Sequence, residues 1–297
     1  MRVALLAQSE FAPELRRGLA ARAEVLELDR GTVARGETGA LRSAFQGADA
    51  LVLASGDEAA EIANEVRLVD AAAAAGLRRV VRVSGMSHAV GPAARSPAGQ
   101  AHWQADRRLE EAPLPFTVLR PSIPMQALLG LAPVISRLGV IPLPMGDAPV
   151  ALVDARDVAA VATAEIDRAA ADMRVLEVTG PRCMSWASVA KTLAAATGEP
   201  VVYLDTASEL ASRTLTRMGV RPEATSRLLD LAPLVRLGAA SAALPTVREV
   251  TGEEPRDLEQ FVHEHATRFR EGRLLRPARA VVRSAARVVG RAAAARR

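Results

Sequence analysis

The chain has 297 residues, 49% apolar but only 3% aromatic, so it can bury one large α/β domain, alone or with a smaller lobe, around a core of Ala, Val and Leu. Its single cysteine, Cys183, excludes an internal disulfide and fits a reducing compartment. The net charge of +4 is uneven: residues 270–297 hold nine arginines and one glutamate, a local +8 that leaves 1–269 at −4 and excludes a basic nucleic-acid footprint from the body.

Neither a signal peptide nor an apolar run long enough to span a membrane is apparent, so a cytoplasmic protein is expected. The first half alternates short apolar runs with helical patterns, as in a parallel sheet with crossover helices. Strands are expected at 2–7, 24–29, 49–54, 79–84 and 115–120, with helices near 12–22, 37–47, 58–76 and 100–111. Prolines 121, 124, 133, 142, 144 and 149 then suggest a short helix and a loop leaving the sheet. A strand and helix (150–166), a strand (174–180), a helix closed by Gly198 and a strand (200–205) follow, and 206–269 reads as helical.

Several of these pieces, in order, resemble the NmrA-like branch of the atypical short-chain dehydrogenases/reductases. They are "FQGADALVLAS", "AAAAAGLRRVVRVSGMS", "HWQADRRLEEAPLPFTVLRPSIPMQALL", "VALVDARDVAAVA", "LEVTGPRCMSWASVAKTLAAATGEPVVYLD" and "VREVTGEEPRDLEQFVHEHATRF". The resemblance runs from about 45 to 269. It implies a doubly wound, mostly parallel Rossmann-like sheet that holds NAD(P), with a smaller C-terminal lobe covering a substrate. The expected division is 1–170 for the Rossmann-like domain, 171–269 for the smaller lobe interleaved with 121–153, and 270–297 for a basic tail. Residues 8–48 hold room for one strand and two helices, so the sheet is expected to be short of about one β-α unit.

The first strand-to-helix turn departs from the resemblance. Dinucleotide sites of this kind use glycines to bring the backbone close to a pyrophosphate. Here Ala7, Glu10 and Pro13 stand at those positions, around Gln8 and Ser9. A carboxylate ~4 Å from a phosphate costs roughly 4 kcal/mol at an effective dielectric of 20. Asp29 and Arg30 end the second strand, where an acid suits the ribose of NAD and an arginine the extra phosphate of NADP; a plain surface turn is the other reading. The residual cofactor positions are thus Ala7, Gln8, Ser9, Asp29 and Arg30, and NAD(P) is expected to bind weakly or not at all.

The Tyr-x-x-x-Lys pair of ordinary short-chain dehydrogenases is excluded, because the only tyrosine, Tyr203, follows the only lysine, Lys191. In its place the resemblance implies an H-x-x-x-E segment, here His102 to Asp106, whose members share a helix face at i and i+4. His102 as acid/base, Asp106 as its partner and Ser84 beyond the fourth strand form the candidate catalytic set; a surface His–Asp pair is the alternative. Ser55 and Gly56 after the third strand, Gly85 and Met86 after the fourth, and Pro121, Ser122, Met125 and Gln126 after the fifth are the candidate lining of an interlobe cleft. No set of residues has metal-ligand spacing.

Arg279, Arg283, Arg287 and Arg291 recur every four residues with valines opposite, a basic amphipathic pattern. Such a tail suits an acidic partner or an anionic membrane surface, or is simply solvated. The expected function is binding of a small organic molecule in the cleft, with redox use of NAD(P) reduced or lost and proton-transfer chemistry (isomerase, cyclase or dehydratase type) as a remnant. The alternatives are an NAD(P)H-dependent reductase of quinone or azo type and a non-catalytic regulator.

Overall fold

The computed structural model describes residues 1–35, 41, 43–56, 58–170 and 172–270. They divide into two compact units, Met1–Pro124 with Val153–Pro181 and Leu244–Pro255, and Met125–Leu152 with Arg182–Ala243 and the chain from Arg256.

The first unit is a parallel sheet of six strands: β1 (Arg2–Ala7), β2 (Glu24–Glu27), β3 (Ala50–Ala54), β4 (Arg79–Val83), β5 (Phe116–Pro121) and β7 (Met173–Val178). Their order is β2-β1-β3-β4-β5-β7. The chain reverses its direction of winding after β2, so the carboxyl ends of β1 and β3 form the topological switch point where doubly wound sheets bind ligands. Register follows the apolar runs, with Val3–Ala7 opposite Ala50–Ala54. Strand β2 lies at one edge, and no strand beyond it occurs among the described residues, as the short interval 8–48 implies.

Side-chain alternation divides the sheet into two buried faces. Val3, Leu5, Val52 and Val81 pack on one face with Leu15 and Leu19 of helix α1 (Ala12–Ala20) and Val158 and Val161 of a later crossover helix, Ala155–Asp167. Ala4, Leu6, Leu51, Leu53 and Val80 pack on the other with Leu68 and Val69 of helix α3 (Ala59–Ala75) and Leu109 of helix α4 (Pro97–Glu111). The helix boundaries have local causes. Gly76, at φ 71°, closes α3 in the left-handed conformation that glycine adopts without strain. Ser96 caps α4 by accepting from Gly99 N–H, with Pro97 in the first turn. Gly99 itself must lack a side chain, because a Cβ there would strike the Ala89 carbonyl oxygen.

Three elements differ from the sequence expectation. A helix α2 (Arg30–Arg35) follows β2 directly, started by Asp29, whose carboxylate accepts from the Thr32 N–H at 2.7 Å and its hydroxyl at 2.9 Å. Part of the helix expected over 37–47 lies outside the described residues. The strand expected at 150–153 reduces to two isolated bridges, Pro124 with Val153 and Val150 with Met184. Strand β7 pairs along its length with β5, so the chain after 170 contributes to the large sheet before the second unit resumes at Arg182.

The second unit is built on a two-stranded parallel sheet of β6 (Val140–Pro142), in a stretch read as loop, and β8 (Val202–Leu204). Around it run the helices α5 (Gln126–Gly130), α6 (Ala132–Leu138), α8 (Trp186–Thr197), α9 (Ser208–Arg217), α10 (Pro222–Arg236), α12 (Leu258–Glu264) and α13 (Ala266–Arg270); α7 is the crossover helix Ala155–Asp167 and α11 (Thr246–Thr251) belongs to the first unit. Trp186 stacks on Tyr203 with ring centroids 6.2 Å apart. The Tyr203 hydroxyl accepts from Met145 N–H and donates to the Gly146 carbonyl, both at 3.1 Å. The arginine stripe at 279–291 lies outside the described residues.

Candidate functional site

Strand β4 reads Arg-Val-Val-Arg-Val, and its second arginine, Arg82, is fully buried on the face that receives α3 and α4. An unpaired buried guanidinium would be prohibitive, and two helices supply its partners. Nε donates to Glu65 Oε2 of α3 at 2.6 Å, one terminal nitrogen donates to Asp106 Oδ1 of α4 at 2.5 Å, and the other to His102 Nδ1 at 2.9 Å. Glu65 also accepts from the Ser55 N–H at 3.1 Å. Asp106 Oδ2 accepts from the Ser84 hydroxyl and from Arg120 of β5, each at 3.0 Å. Two carboxylates thus balance two guanidiniums, and the network ties α3, α4, β4 and β5 together just below the carboxyl edge of the sheet.

The electrostatics follow from this arrangement. Burial alone lowers the pKa of Arg82, and the carboxylates of Glu65 and Asp106 more than reverse that, leaving it above its ordinary value. His102 is pushed the other way. Burial, then the guanidiniums of Arg82 and Arg120, hold its pKa well below the usual histidine range. A group with a depressed pKa that is neutral when buried binds a proton more readily in the unfolded chain, so folding stability falls as pH drops below about 6.5. Wild-type protein is therefore expected to lose up to about 1.4 kcal/mol per pH unit from His102 in that interval. Thermal melts from about pH 7.5 to 5.5 check this: His102→Gln should flatten the slope, and an unchanged slope refutes the assignment.

The sequence-expected residues fall as follows. Ser84 and His102 meet in the network, but no hydrogen bond joins Asp106 to His102; Arg82 bonds to both. Ser55 and Gly56 follow β3, Gly85 and Met86 follow β4, and Pro121 and Ser122 end β5, all at the same sheet edge. Met125 and Gln126 open the second unit instead. Ala7 ends β1 and pairs with Ala54, while Arg30 begins α2 behind Asp29. Arg82, Glu65 and Arg120 were not anticipated. The available signal was an arginine inside an apolar parallel strand, which demands acidic partners on the helices packed over it.

The turn after β1 can be tested against a dinucleotide. No described residue other than glycine has positive φ, so Ala7 to Phe11 turn without the left-handed conformation that would demand glycine. The N–H groups of Gln8 and Ser9 both donate to the Ala54 carbonyl, at 2.8 and 3.1 Å, and fasten the turn to β3. Pro13 occupies the first turn of α1, where a missing N–H breaks no helical hydrogen bond. Glu10 has a partner within the chain. Gln8 Oε1, Ser9 Oγ and Ser55 Oγ are buried without a hydrogen-bond partner, as are Ser122 Oγ and Arg120 Nε nearby in the fold. Buried polar atoms are rarely left so. Three of these orphans flank the switch point itself, and they fit the polar groups of a dinucleotide.

Comparison with known proteins bears on the same point. The NmrA-like family model matches residues 15–229, beginning just past this turn. An NAD(P)H azoreductase of Xenophilus azovorans is 33% identical over 204 residues, 68% of this chain and 70% of its own. A (4-alkanoyl-5-oxo-2,5-dihydrofuran-3-yl)methyl phosphate reductase of Streptomyces griseus is 33% identical over 236 residues, 80% of this chain and 82% of its own. In structure the chain resembles the NADPH-dependent quinone oxidoreductase QOR2 of Escherichia coli, solved with NADPH, at a TM-score of 0.77 and 20% identity over 89% of this chain and 99% of that one. The triphenylmethane reductase of Citrobacter sp., solved with NADP(H), follows at 0.74 and 17% identity, again over 89% and 99%. These findings overturn the expectation of absent or weak NAD(P) binding: a 33% identical relative is an NAD(P)H azoreductase, two structural neighbours were solved with NADPH or NADP(H), and the glycine-free turn keeps a polar, fastened switch point. By its matched family model, its 33% identical relatives and its doubly wound sheet, the chain belongs to the NmrA-like family.

Proposed function

We propose that the protein is an NAD(P)H-dependent oxidoreductase that reduces a small conjugated organic acceptor. The observation that carries this reading is the set of buried, unpartnered polar atoms at the switch point, Gln8 Oε1, Ser9 Oγ and Ser55 Oγ. With the N-terminus of α1, whose dipole favours anionic groups, these side chains would hold the dinucleotide. When bound, the cofactor supplies a hydride. Ser84, Gly85 and Ser122 rim the same sheet edge and would receive the acceptor.

The residues available for proton transfer restrict the chemistry. Tyr203 is committed to Gly146 and Met145 in the second unit, and burial raises its pKa. A phenol and lysine acid pair is therefore missing, which favours acceptors whose hydride adduct is a delocalised anion that water can protonate. The names of the two 33% identical relatives describe such acceptors, an azo compound and an oxo-dihydrofuran.

Calorimetric titration with NADPH and NADH, followed by cofactor oxidation assays with a quinone and an azo dye, tests the proposal. Saturable micromolar binding of at least one cofactor and acceptor-dependent oxidation are expected. No heat of binding at millimolar cofactor would overturn it.

A further inference from the structure

We propose that Arg82 is a positioning residue that locks His102 as the neutral Nε2–H tautomer, so that His102 offers an acceptor atom of the substrate a hydrogen bond and not its proton. The last clause rests on the reductase reading; the lock itself does not. A guanidinium has only donors and stays protonated. Placed 2.9 Å from His102 Nδ1, Arg82 must donate, and Nδ1 must present its lone pair. The ring hydrogen then sits on Nε2.

The surroundings support this assignment from every side. Glu65 of α3, Asp106 of α4, Arg82 of β4, Ser84 just after that strand and Arg120 of β5 are the polar groups of the network that holds the ring. Both oxygens of Asp106 are taken, Oδ1 by Arg82 and Oδ2 by Ser84 and Arg120. An imidazolium would be a third cation with no carboxylate oxygen left to meet it. The i, i+4 pair of His102 and Asp106 therefore does not act as a dyad.

The Nε2 edge of the ring points at the sheet edge. A Cβ at Gly85 would lie 3.2 Å from His102 Cδ2 and 3.7 Å from Nε2, so glycine keeps that approach open next to Ser84. Nε2 has no hydrogen-bond partner among the described residues, and His102 as a whole keeps 8% of its exposure. With Nδ1 held by a permanent cation, releasing the Nε2 proton would leave an imidazolate. The proton that completes a reduced product therefore comes from water.

The test begins on cofactor-free, 15N-labelled wild-type protein. The chain has four histidines, His88, His102, His263 and His265, and the His102 signals are those lost in His102→Gln. Between about pH 5 and 8, Nδ1 is expected to keep an unprotonated acceptor shift and Nε2 a protonated one, with no titration. An Nδ1–H ring, or a midpoint in that interval, overturns the lock. Arg82→Lys, whose compact ammonium cannot fork to three partners, should let His102 titrate or mix tautomers and add a pH limb to kcat/KM. An unchanged spectrum in that variant also overturns it, and if the variant does not fold the wild-type spectra decide. For the donor role, His102→Gln keeps a side-chain N–H and should hold kcat/KM within about tenfold, whereas His102→Phe should lose about 10²-fold or more. A 10²–10⁴-fold loss in His102→Gln, the size of acid/base catalysis, refutes it. Because the spectra need no cofactor, failure of the reductase reading would leave them intact.

Discussion

Replacing Arg82 by methionine is expected to destabilise the protein by about 3–5 kcal/mol, lowering the melting temperature by about 6–20 °C. The loss comes less from the missing contacts than from what they leave behind. Glu65 is fully buried, and without Arg82 its carboxylate retains only the Ser55 N–H. Asp106 keeps Ser84 and Arg120, so it is partly protected. This asymmetry predicts the rescue. Adding Glu65→Gln to Arg82→Met removes the uncompensated charge but preserves an acceptor for Ser55, and should restore half or more of the lost stability. A double variant no more stable than the single one would mean that Glu65 is not the source of the cost. Denaturant melts of the four proteins measure the coupling.

Ser9→Asp should weaken NADPH binding by up to about a thousandfold. The serine lies in the turn after β1, and its buried hydroxyl has no partner. A carboxylate introduced about 4 Å from a phosphate costs roughly 4 kcal/mol at an effective dielectric of 20, which is close to three decades in affinity. Ser9→Ala removes only a hydrogen-bonding group and should cost about tenfold or less. The contrast between the two variants separates electrostatic proximity from general damage to the turn. Equal affinity for Ser9→Asp and wild type, in titrations at moderate salt, would move the phosphates away from β1.

The parallel sheet was legible because its strands are buried on both faces and so must be continuous apolar runs, such as Val3–Ala7 and Ala50–Ala54. Helices α3 and α8 carried their own stop signals in Gly76 and Gly198. Strand β8 was read within 200–205, but its partner β6 was not legible, since a three-residue strand ending in proline carries too little periodicity and is defined by a partner some sixty residues away. The cofactor expectation failed for a related reason. Glycine at a phosphate turn is a demand of backbone conformation and close approach, and this turn meets it without positive φ, fastened to Ala54.

Sequence alone therefore determined the doubly wound α/β class, the short edge beyond β2, the absence of a Tyr-x-x-x-Lys pair and the face shared by His102 and Asp106, because each depends on local spacing or composition. Only the tertiary structure decided what that face touches. Sequence marks Arg82 as an arginine inside an apolar strand but not which acids meet it, and its burial becomes tolerable solely because Glu65, 17 residues before it, and Asp106, 24 residues after it, arrive on two separate helices. The pairing of Arg82 with His102, which sets the tautomer and with it the chemistry the ring can do, exists only where two helices close over one strand.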